Sequence, residues 1–429
     1  MPTVSRGLPA QPHLDVPKRE ARELLLLWRS AQPEALERIR HRHPRFASAD
    51  PATLAAAKPR LADAQLVLAR EYGFVNWAEL KQRISANEIS RSILTAIRQR
   101  NREQVRALLR ARPDLLHIPL WSANWGPPMS HAANLGYLDI VEDCAALGAK
   151  DHSHAFDRAV LQGQLETARW LHAHGAIIPP DIVMGPCETI MPEGLRFLVE
   201  LGAPLADAKG DRLAPLAMVL ETYGRSPARK HACLEVFAEQ GYDLPDTPMM
   251  AFHRGQVDRL ARHIDRDPSL VARRFAYREI YPPELGCHDD GRSGLHGTTI
   301  GGTTLLHLAI DFEEQEIFDL LLARGADVDA RADVDAEGFG GHTPLFNAVV
   351  SCFGSRGLQH DAAMTRALLA RGASPTARAS LRKFIDWVAE PRWHEAREVT
   401  PVEWAAVCPE RGWVNEVAVQ LVTEAADRA

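Results

Sequence analysis

Between Thr303 and Ala330 the chain reads TTLLHLAIDFEEQEIFDLLLARGADVDA, with apolar and polar positions falling into two short periods. Leu305, Leu306, Leu308 and Ile310 enter a first helix directly behind Thr304, a residue type whose hydroxyl caps helix starts. After the acidic DFEEQ, Ile317, Leu320 and Leu321 recur at three- and four-residue spacing, which puts them on one face of a second helix. Gly325 ends that helix, because a glycine takes up the left-handed conformation at little cost. The pattern predicts two helices joined by a turn, with ADVDA running extended toward a following unit.

A second copy follows. GHTPLFNA, Gly341 to Ala348, repeats the frame with Thr343 at the cap and Pro344 at the first helical position, where a missing N–H costs nothing. The frame G-x-T-P-L-H-x-A, followed by a helix, a Gly-Ala end and a hydrophobic-Asp stretch, resembles the ankyrin repeat. Gly302, Thr304, Leu306, His307 and Ala309 carry the resemblance, as do Gly341, Thr343, Pro344, Leu345 and Ala348; Leu305 stands for the proline and Phe346 for the histidine.

The helix-ending glycine serves as a ruler for weaker copies. Gly148, Gly175, Gly202, Gly325 and Gly372 each precede an alanine and close an amphipathic segment, with Gly241-Tyr242 a degenerate sixth. Four residues before them stand Cys144, Leu171, Leu198, Leu321, Leu368 and Phe237, one helix face recurring as a stacked interior requires. The first two intervals are 27 residues, shorter than the roughly 33 of the ankyrin unit, whereas Gly325 to Gly372 is 47 and a further start, TPVEWAA at Thr400, lies 57 beyond Thr343. Three other helical segments, 33–46, 103–116 and 256–271, end in a proline instead.

These periods predict an all-α protein: an ankyrin-like α-solenoid of stacked helix pairs with short hairpin or loop insertions, preceded by a small helical leader. The expected boundaries are a disordered start at 1–15, a leader or cap at 16–90, and an array at 91–429, with trimmed repeats over about 91–270 and inserted repeats over about 271–429. The leader, with LADAQLVLAREYGFVNWAELKQRI as two helices joined at Gly73, is similar to segments of bacterial ankyrin-repeat proteins.

Composition changes this picture little. No apolar run approaches the roughly 20 residues that span a bilayer and no apolar signal opens the chain, so a cytoplasmic location without membrane contact is expected. Six scattered cysteines, none in a C-x-x-C pair, read as reduced thiols. The net charge of -6 hides an asymmetry, since residues 1–117 hold 21 Lys and Arg against 12 Asp and Glu. A nucleic-acid-associated protein using the basic leader, RIRHRHPR at 38–45, is therefore the alternative reading, although the basic residues follow helical periodicity rather than a block.

Insertions in repeat arrays collect on one face, which is often the binding face. Here they occupy 273–302, 331–341, 351–363 and 377–399. They supply Tyr277, Tyr281, Phe339, Trp387 and Trp393 together with Arg274, Arg382 and Arg397, the residue types that dominate binding hot spots. The competing role for these aromatics is to anchor the loops to the stack. Cys287, His288, Asp289, Asp290 and His296 crowd the first insertion, but no zinc spacing is met, and a polar turn explains them. His172 and His174, two apart on a helix, point to different faces. Without a nucleophile elbow, phosphate loop or dinucleotide fingerprint, neither cofactor nor metal is expected, and an enzyme with its site at 273–302 is a second alternative. The leading reading is a non-catalytic scaffold, since the resemblance implies recognition of another protein through short fingers and inner helix faces.

Overall fold

The computed structural model describes residues 13–120, 125–289, 296–351, 362–385 and 390–428. It is an all-α fold of paired helices, as the periods require, with two short antiparallel sheets. By contacts the chain divides into two compact units, residues 1–158 with 169–176, and residues 159–168 with 177–429.

In the first unit the helices Asp15–Arg29, Pro33–Arg42 and Leu61–Glu71, from the segment expected to be a leader, close on Trp28, which is fully buried. Its indole N–H donates to Leu54 O at 3.0 Å and its ring meets Phe46 edge-on at 5.3 Å. Some of the arginines of this segment contact neighbours within it. Arg38 forks onto Glu71 with two bonds of 2.8 Å, Arg40 reaches Glu37, and Arg45 lies over Phe46. One helix, Trp77–Arg98, runs straight through residue 90, the position expected to separate leader from array.

The glycine ruler is realised in the backbone. All six glycines have positive φ, from 78° to 99°. A Cβ built at any of them would meet nothing within 4 Å, so glycine is there for its backbone conformation and not for room. The residue four positions earlier is in every case fully buried. The proline-ended helices behave alike as well: Pro33–Arg42, Arg102–Ala111 and Val257–Arg266 each give way within two residues to a 3-10 turn opened by proline, at Pro44–Phe46, Pro113–His117 and Pro268–Val271.

The second unit contains the strong repeats. The helices Leu305–Asp311 and Gln315–Ala323 form the pair read from the sequence, and Pro344–Val349 and Pro401–Val407 follow as the next starts. Strands β1 (Arg274–Phe275) and β2 (Thr303–Thr304) pair antiparallel, and the fourth insertion folds into a hairpin of β3 (Ala379–Ile385) and β4 (Arg392–Val399). The extension expected at ADVDA begins instead with a turn, in which Ala330 N–H donates to Asp327 O. Backbone bonds carry the row of fingers onward: Gly302 N–H to Phe275 O at 2.8 Å, Asp333 N–H to Gly302 O at 2.8 Å, and Gly340 N–H to Ser380 O at 2.6 Å.

Candidate functional site

The inserted fingers of the second unit enclose an open cleft of about 370 Å³. Its walls come from three separate insertions, with Tyr277 from the first, Phe339 from the second, and Arg382 and Trp393 from facing strands of the β3–β4 hairpin. The second insertion is shaped by Asp335, whose carboxylate accepts the backbone N–H groups of Glu337 and Phe339, both at 2.9 Å, and so tightens the chain into a turn. Gly340 completes it at φ 125°, where a Cβ would stand 1.9 Å from Asp333 O and no side chain fits.

Arg382 is the centre of the hairpin wall. Its guanidinium lies 4.8 Å from the ring centres of both Phe339 and Trp393 and donates to Asp335 at 2.8 Å and to Glu337. Arg397 covers Phe339 at 4.1 Å, and Trp393 meets Phe384 edge-on. Such cation–aromatic contacts are worth about 0.5–1 kcal/mol each at exposed sites, and together they hold the hairpin against the 331–341 finger. The anchoring role is the one these contacts display. They anchor the loops, yet Trp393 remains 38% exposed and its neighbour Val334 61%, two of the few large apolar side chains open to water.

Of the eight residues expected to face a partner, Tyr277, Phe339, Arg382 and Trp393 line this cleft. Arg397 joins it through Phe339, while Arg274 stands beside it, donating to Arg331 O at 2.6 Å and facing Asp333 at 3.6 Å. Trp387 and Asp290 lie outside the described residues. Tyr281 corrects the expectation, because it is 2% exposed and offers no surface to a partner. Sequence reasoning missed Asp333, Val334 and His342, which also line the cleft. The acidic and apolar alternation of ADVDAE was their available signal.

Tyr281 belongs to a buried polar cluster. Its hydroxyl is 2.7 Å from His296 Nε2, and His296 Nδ1 is 2.7 Å from Asp311 Oδ2, so Nδ1 carries the hydrogen and Nε2 accepts the phenol. Arg225 donates to Asp311 Oδ2 at 2.8 Å, and the Ser351 hydroxyl is 2.9 Å from Oδ1. Nearby, Lys230 Nζ donates to His253 Nδ1 at 2.9 Å, which fits the His253 Nε2–H donating to Ile280 O. Both cations lie over the ring of Phe312.

Burial alone would raise the Asp311 carboxyl, but Arg225 and His296 outweigh it and hold the group well below the usual range. Burial pushes His296 down to about 4, Lys230 down to about 7 and the Tyr281 phenol well up. A Tyr-His-Asp chain resembles a nucleophile relay in outline. Here the phenol stays protonated and both ends are sealed, so the arrangement ties the first insertion to the repeat behind it.

Other constellations are structural in the same way. Ser130 Oγ donates to Asp151 at 2.5 Å while His154 Nδ1 approaches the same oxygen at 2.8 Å, so the carboxylate orients the serine and not the histidine, the reverse of a hydrolase triad. The thiol of Cys287 is buried and pushed up to about 12. Among the described residues no group of three or more His, Cys, Asp or Glu could hold a metal ion, and no helix is long and apolar enough to cross a membrane.

Residues 301–333 match the family model of the ankyrin repeat, a module that generally mediates contact between proteins. Among curated proteins no sequence matches. Among solved structures, the crystal structure of the human ASB11 ankyrin repeat domain is similar at 17% identity, covering 57% of this chain and 97% of that chain with a TM-score of 0.28, a score that carries no structural argument.

Proposed function

We propose that this chain, which carries an ankyrin repeat at 301–333, is a non-catalytic scaffold that binds another protein through the cleft of its inserted fingers. One observation carries the reading: aromatic and arginine side chains from three insertions converge on one open cleft while Trp393 and Val334 stay exposed on it. A surface already held by ion pairs and stacked rings loses little entropy on binding, so modest anchors give useful affinity. The free, buried thiols of the described cysteines suit a reducing, cytoplasmic setting.

The test is a comparative pull-down from native lysate with identification by mass spectrometry, using the full chain and a Tyr277→Ala/Trp393→Ala variant whose fold is checked by circular dichroism. A protein retained by the first and lost by the folded second supports the proposal. If no protein is specifically retained, or a partner is retained equally by both, the cleft is not the binding site.

A further inference from the structure

A second cleft, of about 310 Å³, lies on the other side of the first insertion, within the same unit. Phe275 lines it, the next two residues, Ala276 and Tyr277, line the cleft described above, and Arg278 and Glu279 line the second again. The wall between the clefts is therefore β1 and the single helical turn Tyr277–Ile280. Resting on the reading of this face as a protein contact, we infer that the two clefts together bind one extended segment of a partner, an apolar side chain entering the second cleft and a lysine or arginine the first.

The spacing follows from the wall. A helical turn with its side chains is about 10–12 Å across. An extended chain advances about 3.3 Å per residue, so the two side chains stand about three to four residues apart.

The chemistry of each anchor follows from what the clefts present. Buried Met249, Met250 and Phe275 line the second cleft, beside Pro248 and Pro282. Of the charged residues that line it, Arg273 pairs with Glu279 and Arg278 stands 3.7 Å from Asp289, while Glu284 lines it as well. An apolar side chain is what such a site accepts, and methionines adapt to its shape. In the first cleft Asp333 has a side chain 61% exposed, and its ion contact, with Arg274 at 3.6 Å, is too long for a hydrogen bond. Arg382 is matched by both Asp335 and Glu337, and Arg397 stacks on Phe339 with a bond to Glu337 O, so the arginines near the cleft are engaged. A cation at Asp333 would sit near the rings of Tyr277 and Trp393, which attract it further. Residues 271–429 hold 24 Asp and Glu against 16 Lys and Arg, a net charge of the sign that favours a cationic segment.

The experiment is fluorescence polarisation on the full chain with labelled serine- and glycine-based peptides bearing one leucine and one arginine separated by one to eight residues. Tightest binding is expected where the two stand about three to four positions apart, with glutamate in place of arginine weakening it about tenfold. Asp333→Asn, a surface change, is expected to remove most of that arginine preference, and serine in place of leucine to abolish binding. No binding at any spacing, no spacing optimum, or equal binding of the glutamate peptides overturns the inference. A lysate partner that is lost with Tyr277→Ala/Trp393→Ala but indifferent to Asp333→Asn also overturns it while leaving the scaffold reading standing. If no protein is retained at all, that reading itself has failed.

Discussion

Two helix starts in the second unit share one frame and are finished differently. At Thr304 the hydroxyl donates to His307 Nδ1 at 2.9 Å, and His307 passes its own Nε2–H to His342 O at 3.2 Å. At Thr343 the equivalent position holds Phe346, and the Thr343 hydroxyl has no hydrogen-bond partner among the described residues. Seven residues on, the first helix carries Asp311 and its buried ion pair, where the second carries Val350. The second also leaves both amide atoms of Asn347 and His342 Nδ1 unpaired among the described residues. A frame of similar letters thus yields one start held by polar bonds and one held by packing. The packed start follows directly on the fingers of the cleft, and His342 lines it.

The largest test of that difference gives the first start the second one's residue. Asp311→Val leaves the Arg225 guanidinium buried without its carboxylate, and breaking such a pair costs about 3–5 kcal/mol. Urea unfolding should register that loss, and Arg225→Met added to Asp311→Val should recover part of it, because an apolar pair removes the stranded charge. Recovery stays partial, since His296 loses its acceptor in both. A single variant as stable as the parent would mean that the first start, like the second, rests on packing.

The contrast also marks how far the sequence could be read. Helix ends were legible because a left-handed residue and a buried residue four positions earlier are local requirements, written at Gly325 with Leu321 and again at Gly372 with Leu368. Four of the residues that line the cleft, Tyr277, Phe339, Arg382 and Trp393, could be singled out because aromatics and arginines gathered in insertions stand apart from the repeat pattern, though that signal does not separate anchoring from binding. The buried place of Tyr281 was not, because it depends on His296, Asp311 and Arg225, the last of them 71 residues from His296. A hairpin or loop is expected at 377–399, but its register was not legible for a related reason: that Arg382 lies across from Glu395 and Phe384 from Trp393 is settled only by the pairing of the two strands. The boundary expected near residue 90 falls inside the helix Trp77–Arg98, whose periodicity carries no mark of a division there.

Acid should act on the first start more than on the second. Burial pushes His307 down to about 3, and His296 and His342 down to about 4, from about 6.5 in an unfolded chain. Unfolding therefore takes up protons, and the stability these residues contribute is present above about pH 6.5 and is lost as pH falls toward the folded values. Each histidine contributes at most about 1.4 kcal/mol per pH unit across that window. The urea midpoint should fall steadily from pH 7 to pH 4, and His307→Gln, which removes a titrating group from the first start, should make the fall shallower. An unchanged slope would show that His307 does not change its protonation on unfolding.

The smallest effect is the most discriminating. Thr304→Val removes a hydroxyl that is bonded in a buried setting, so it leaves His307 Nδ1 without that donor and costs about 1–2 kcal/mol. Thr343→Val removes a hydroxyl equally buried but unpaired among the described residues, and replaces it with a methyl group of similar shape. That change should lie within about 0.5 kcal/mol of neutral or stabilise slightly, because no bond is lost and a desolvated polar atom disappears. Parallel urea melts of the two variants read the difference directly. Equal losses would mean that Thr343 finds a partner, an ordered water being the simplest, and that the two starts are capped alike after all. An unequal pair would establish that the same letter in the same frame does polar work at one start and only fills space at the other.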